Sequence, residues 1–254
     1  MKIVVCVKQV AVLGDEVEFT PDERDVDPDY LEFALNEWDS YATEEALRIR
    51  ETAGDGEVVV VTCGDDDADD ALRRCLAMGA DRAIRIWDQS LRDRVGDPIS
   101  TARALARTVA EERPGLVFCG VQSSDAVQGA TGVAVAELLG LPRVAVVKKV
   151  EWAGDRAVVY RELEGGLVDI CEVETPAVLT IQTGINEPRY ATLRAIKQAE
   201  QKEIAVVEPG ELGEPAARIR RMFVPAKGEG AQMLGKDPAD VAQKIKELVE
   251  EKLR

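Results

Sequence analysis

GEVVVVTCGDDDADDALRRCLAMGADRAIRIW, residues 56–87, contains a strand, a helix and a second strand with almost nothing between them. Residues 58–62 are an unbroken β-branched run, the pattern of a strand covered on both faces. Residues 65–78 carry apolar side chains at helical spacing behind an acidic first turn, and Gly79 stops them. GADRAIRIW then reads as a turn and another strand. A strand–helix–strand unit of this kind joins parallel neighbours by a crossover helix.

The same unit repeats outward in both directions. Residues 2–7, KIVVCV, form the first strand. A polar, Asp- and Pro-rich loop runs through Asp29, and residues 40–51 form a helix ended by Gly54 and Gly56. Downstream come a helix at 100–112, a strand at 116–120 and a helix at 129–139 stopped by Gly140 and Pro142. This alternation predicts an α/β fold, a three-layer and mostly parallel sheet with helices on both faces. After residue 140 the rhythm changes. Residues 143–151, 155–164 and 167–174 read as antiparallel hairpins broken at Ala153-Gly154 and Gly165-Gly166, and 177–182 is a further strand. The tail from about 205 is rich in Glu, Gly and Pro and ends in a helix at 238–253. It has too little apolar surface for a core of its own, so it is partly disordered or lies on something else. The expected division is an α/β domain over 1–204 and an extended C-terminal arm over 205–254.

Bulk properties narrow the function. The chain carries 48 acidic against 32 basic residues, a net charge of −16, and repels nucleic-acid and anionic membrane surfaces. Acidity of this size also fits plain solubility or a saline host. With no histidine the chain lacks the commonest general base and metal ligand. Its five cysteines form no C-x-x-C pair and read as reduced, buried hydrophobes of a cytoplasmic protein rather than as disulfides or a zinc site. The N-terminus is a strand rather than a secretory signal, and no apolar run reaches the ~18 residues of a membrane span. The acidic residues between Asp65 and Asp70 complement a helix dipole rather than a metal. No metal site and no catalytic residue is expected.

In a doubly wound sheet, ligands bind beyond the carboxyl ends of the strands, where strand order reverses. Three loops leave such ends, and CGVQSSDAVQGATG at 119–132 is the informative one. Free N–H groups at a helix start near Gly129 favour phosphate, Gly129, Ala130 and Gly132 allow close approach, and Thr131 offers a hydroxyl. A simple helix cap by Ser124 or Asp125 explains the same loop equally well. Residues 36–41 are either a capped helix start with Trp38 as packing, or an edge facing adenine or ribose.

Taken in order, VKQV (7–10), NEWDSYATEEALRIRE (36–51), AMGADRAIRI (77–86), the loop at 120–132, AELLGLP (136–142) and NEPRYATL (186–193) resemble the beta subunit of an electron transfer flavoprotein. The resemblance reaches to about Lys202, and NEPRYATL is its most specific part. It implies an adenine-nucleotide-binding fold of the universal-stress-protein type. It also implies an alpha subunit bearing a redox-active FAD, with the C-terminal arm reaching onto it. Simple members hold a structural AMP in the beta subunit, and electron-bifurcating members hold a second FAD there and oxidise NADH. Cys6, Asn36 and Cys63 match positions lining the AMP site. Ser123, Asp125 and Thr131 match its phosphate loop, and Gln128, Gly129, Ala130 and Gly132 complete the cofactor-binding candidates. Glu162 matches a glutamate that pairs with the alpha subunit. The segment from Arg189 through Tyr190, Leu193 and Ile196 matches the loop that docks acyl-CoA or related dehydrogenases, with Leu193 as anchor and electrons passing on to the quinone pool. Arg194 stands where the family has proline, which changes the charge beside that anchor. A solitary nucleotide-binding regulator is the reading from another class, and NEPRYATL and the coreless tail count against it.

Overall fold

A computed structural model describes residues 1–254 apart from 15, 16, 227, 229, 232 and 254. The chain divides into two units, Met1–Met222 and Phe223–Arg254. The first is built on a nine-stranded sheet. In chain order its strands are β1 (Lys2–Cys6), β4 (Glu57–Cys63), β5 (Arg82–Ile86), β6 (Leu116–Gly120), β7 (Arg143–Trp152), β8 (Arg156–Glu162), β9 (Val168–Glu174), β10 (Ala177–Ile181) and β11 (Ile204–Val207). Across the sheet they run β11-β5-β4-β1-β6-β10-β7-β8-β9. All neighbours from β11 to β7 are parallel, and β8 and β9 add an antiparallel hairpin at one edge.

The β-branched runs do what two-sided burial requires. In β4, Val58 and Val60 face one core while Val59 and Val61 face the other. Ile3 and Val5 of β1 divide from Val4 and Cys6 in the same way. One face is covered by α1 (Glu37–Ala53), α2 (Asp69–Met78) and α5 (Leu193–Glu200), which supply Ala42, Ala46, Leu47, Leu72, Cys75 and Ala199. The other is covered by α3 (Pro98–Glu112) and α4 (Thr131–Leu139) through Ala102, Leu105, Val109, Val135 and Ala136. The three-layer expectation therefore describes the fold.

Four local expectations change. The loop through Asp29 contains β2 (Gln9–Leu13), which pairs antiparallel with β3 (Leu31–Leu35) in a separate two-stranded sheet. The acidic stretch between these strands hides a long-range pairing. The helix expected at 65 opens with a tighter turn, Asp66–Ala68, before α2 starts at Asp69. The helix expected at 129 starts at Thr131, with Ala130 as its N-cap. Residues 205–222, expected in the arm, belong with the α/β unit. β11 pairs with β5 at the sheet edge, and Leu212 is buried against the α3 side.

The second unit holds α6 (Pro238–Lys252), capped by Asp237 through the N–H groups of Ala239 and Asp240. No side chain of α6 is buried, and Ile245, Leu248 and Val249 are exposed. No helix among the described residues is long and apolar enough to cross a membrane.

Candidate nucleotide site and docking surface

From β1 the chain moves out to β4 and β5 on one side and then returns to place β6 on the other. The crevice between the carboxyl ends of β1 and β6 is thus the switch point of the sheet. One buried side chain occupies its floor. The Asp39 carboxylate, in the first turn of α1, accepts the Lys8 N–H at 2.8 Å and the Gly120 N–H at 3.0 Å. Lys8 lies just past β1 and Gly120 is the last residue of β6, so one carboxylate ties both strand ends to α1. Asp39 is 4% exposed, and burial pushes its carboxyl up to about 7 despite those bonds. Gly120 is required here, because a Cβ would lie within 2.6 Å of the Trp38 Cβ and closer still to the Asp39 carboxylate.

Asn36, also buried, staples the following loop. Its Nδ2 donates to the Gln122 carbonyl at 2.9 Å, and its Oδ1 accepts the Ser124 N–H at 3.2 Å. Beyond it the Lys8 ammonium donates to both oxygens of Asp125 at 2.7 Å and to Ser123 Oγ at 3.4 Å. Burial opposes ionisation of Asp125, but Lys8 and the Ser123 hydroxyl outweigh it and hold the carboxyl below its usual range. Asn36, Ser123 and Asp125 are therefore brought together, with Lys8 between the strands and the loop.

Neither Ser124 nor Asp125 caps α4. Its N-cap is Ala130, which has no side chain to offer, so the helix begins with no side-chain partner for its first amides. The chain reaches Ala130 through two left-handed residues, Val127 and Gly129. A Cβ on Gly129 would meet only the Val121 carbonyl, at 3.6 Å, so the backbone two residues before α4 is not crowded. Thr131 is half-buried at the first helical position. Two of the candidates serve packing. Gly132 is buried, and a Cβ there would lie 2.8 Å from Thr180 Cγ2 and 3.0 Å from Cys119 Cβ, so it lets α4 sit close on β6 and β10. Gln128 turns aside to donate to the Gly96 carbonyl at 3.2 Å.

Cys6 and Cys119 stand opposite each other at the ends of β1 and β6, and Cys63 ends β4. All five thiols are free. The neighbouring Cys6 thiol and burial push Cys119 well above the usual thiol range, and burial pushes Cys63 up to about 12. Thiols held this way act as small apolar wall groups, not as nucleophiles or ligands. Among the described residues no cluster of His, Cys, Asp or Glu could hold a metal.

A second surface hangs from the same helix, farther along. Asn186 Nδ2 donates to the Tyr41 carbonyl at 3.1 Å and to Glu45 at 2.9 Å. The Arg189 guanidinium forks between Glu44 at 2.8 Å and Glu51 at 2.7 Å. Arg189 therefore belongs to the base of the segment and is not free for a partner. Beyond it the segment turns outward. Tyr190 is 93% exposed, Leu193 81% and Ile196 41%. Thr192 caps α5 through the Ala195 N–H, which fixes the helix start beneath them.

A third group links crevice and hairpin. Trp38 Nε1 donates to Gln182 Oε1 at 2.9 Å, Gln182 Nε2 donates to Glu162 at 3.4 Å, and Lys148 donates to the other oxygen of Glu162 at 3.3 Å. Around Glu162 the hairpin exposes Leu163, Leu167, Val168 and Ile170, beside the unpaired edge of β9. Asp39, Lys8 and Gln182 were missed as site residues. Lys8 opens the first of the three strand-end loops, and Asp39 falls on the buried stripe of α1 with Ala42, Thr43, Ala46 and Ile49, whereas Gln182 left no signal.

The chain matches the family described as electron transfer flavoprotein domain over residues 26–212. It is 45% identical to the electron transfer flavoprotein subunit beta of Methylophilus methylotrophus, across 99% of this chain and 98% of that one. The subunit beta of Bradyrhizobium diazoefficiens is 35% identical over 97% of this chain and 98% of its own. The human subunit beta is 36% identical, over 84% of this chain and 83% of its own. Two relatives matched almost end to end, at well over 30% identity, settle the assignment: the chain belongs to the electron transfer flavoprotein family, as a beta subunit.

Proposed function

We propose that this chain holds one structural AMP in the crevice between β1 and β6, pairs with an FAD-bearing alpha subunit, and docks acyl-CoA or related dehydrogenases on α5. The observation that carries the nucleotide reading is the uncapped start of α4, reached through an exposed loop to which the Lys8 ammonium is bound at Ser123 and Asp125. Free amides, the helix dipole and a cation favour a phosphate, and Lys8 cancels the charge of Asp125 that would otherwise repel it. The residues present thus fit the group. The α4 amides, Ala130 and Thr131 would take the phosphate. Asn36, Cys6 and Cys63 would line the remainder, and Gln128 and Gly132 hold the loop from behind. AMP supplies no redox chemistry, so this chain scaffolds electron transfer rather than carrying it out, in keeping with its lack of histidine.

The alpha subunit is assigned to the β8–β9 edge, where exposed apolar side chains surround Glu162. Residues 223–254, with an α6 that buries nothing of its own, form the arm that reaches it. Electrons leave the flavin for a quinone oxidoreductase that this chain meets only indirectly. Five free cysteines suit the reducing cytoplasm.

The test is to purify the complex with its alpha subunit, denature it, and identify and count the released nucleotides. One AMP and one FAD support the reading. Two FAD would replace it with the bifurcating one, and FAD alone would remove the nucleotide from this chain. Ala130→Glu should strip AMP from the complex while Ala130→Gln retains most of it, because the two differ chiefly in charge at the helix start. Equal AMP in both would place the phosphate elsewhere.

A further inference from the structure

The chain spends its cations inward around α5 but spares two. Arg189 is committed to Glu44 and Glu51, Arg48 to Glu44 and Arg50 to Asp81. Arg73 donates to the Ala199 carbonyl, and Lys202 to the Ala80 carbonyl at 2.7 Å. Arg194 and Lys197, both exposed, make no ion pair among the described residues. Arg194 follows Leu193 directly and Lys197 lies one turn on, and the three line one shallow, mainly apolar groove with Gln198 and Gln201. An apolar tip beside two cations with no ion pair among the described residues is therefore set on a body of net charge −16.

Resting on the docking role proposed for α5, we infer that Arg194 and Lys197 are its specificity determinants. They select a dehydrogenase whose apolar pocket is rimmed by carboxylates. Charge complementarity argues for this occupant. An acidic partner is repelled by a surface of net charge −16 and attracted at this tip, so the same two cations help choose the partner and orient it. A second copy of this chain would bring its own cations to the same spot, which disfavours self-association through α5. Leu193 supplies the desolvated anchor, and the cations supply approach and register.

The test uses the full alpha–beta complex and a purified acyl-CoA dehydrogenase reduced with its acyl-CoA substrate. Electron transfer is followed from low to high salt. Three complexes are compared: the native one, Leu193→Ala, and the double variant Arg194→Glu/Lys197→Glu. The double variant should lose about tenfold in kcat/KM at low salt, the lower end of electrostatic steering. Its loss should shrink as salt is added, while the native rate falls with salt. Leu193→Ala should be slow at every salt. A slow Leu193→Ala with a native-like double variant would overturn the selectivity and leave docking intact. If Leu193→Ala were native-like, or the native complex took no electrons, docking and selectivity would fall together. Both cations are exposed and unpaired, so the double variant folds, as an unchanged melting temperature and nucleotide content would verify.

Discussion

The crevice at the switch point and the platform at α5 are both fastened to α1, but by opposite arrangements. In the crevice, α1 contributes a carboxylate and an amide that point inward and leave few polar groups unmet. Asp39 takes two backbone amides and Asn36 takes one amide and one carbonyl. At the platform, Glu44, Glu45 and Glu51 seize only the base of the segment, and the apolar tip is left in water. Buried polar groups are costly unless satisfied, so the first arrangement fixes a single geometry. An exposed apolar tip on a rigid base gains nothing within the chain, which is the condition for spending it on a partner. One helix thus fastens the floor of the crevice at one end and the base of the exposed segment along its length.

The sharpest way to break this contrast is to remove the crevice floor. Asp39→Ala leaves the Lys8 and Gly120 amides unpaired in the interior, at about 1–3 kcal/mol each. We expect a loss of about 3 kcal/mol and a melting temperature lower by about 6–12 °C. A loss under about 1 kcal/mol would mean that the two strand ends do not depend on this carboxylate. Its pH dependence has a definite sign. The folded value is raised from 3.8 to about 7 by burial, so the unfolded chain releases the proton first. The contribution of Asp39 to stability is largest below about pH 4 and is lost as pH rises to about 7. Burial also raises Glu45 at the platform, in the same sense as Asp39, but Glu44 and Glu51 behave in the reverse sense. Arg189 outweighs burial at Glu44 and holds Glu51 low, so their contribution is present above the usual carboxylate range and is lost as pH falls through their lowered values. Melting curves over this range in native and Asp39→Asn complexes would separate the two slopes.

A smaller effect comes from cutting the platform loose. Arg189→Ala leaves Glu44, only 3% exposed at its side chain, with Arg48 alone. Breaking a fully buried pair costs about 3–5 kcal/mol, but Arg189 is a third exposed and Arg48 remains, so about 2 kcal/mol is expected. Arg189→Lys should recover only part, because a single ammonium cannot fork between Glu44 and Glu51. If Arg189→Ala slowed dehydrogenase reduction while stability stayed native, Arg189 would contact the partner directly and the division into base and tip would be wrong.

These contrasts were unevenly legible in the sequence. The runs inside Lys2–Cys6 and Glu57–Cys63 announced strands covered on both faces, because every position from Ile3 to Cys6 and from Val58 to Cys63 is apolar or β-branched. The helix boundaries at Gly54, Gly79 and Gly140 followed from glycines in positive-φ caps. The pairing of Gln9–Leu13 with Leu31–Leu35 was illegible, since the strands are short, separated by an acidic loop and register with nothing local. The start of α4 was misplaced by two residues because Gly129, read as the first helical residue, is itself left-handed and Ala130 is only the N-cap. In the candidate site, the loop could be chosen from strand ends and glycines. Its fastening could not, as Asn36 and Lys8 reach it from more than eighty residues away. The packing roles of Gly132 and Gln128 were hidden for the same reason, since only the folded chain shows what lies behind them.

The smallest expected effect tests the other half of the contrast. Tyr190→Ser and Leu193→Ser each remove a large apolar group that is almost wholly in water. A side chain already hydrated contributes little burial energy, and a serine in its place costs little at a surface position. Leu193 is also the first residue of α5, where the helix depends on the Thr192 cap rather than on its own side chain. We therefore expect each variant to stay within about 0.5 kcal/mol of the native complex in chemical denaturation. A loss above about 1 kcal/mol would show that the tip packs on its own complex rather than waiting for a partner, and α5 would then be an internal contact. Stability that holds while electron transfer drops would separate the two regions cleanly, with the crevice supporting the fold and the tip of α5 supporting only the encounter.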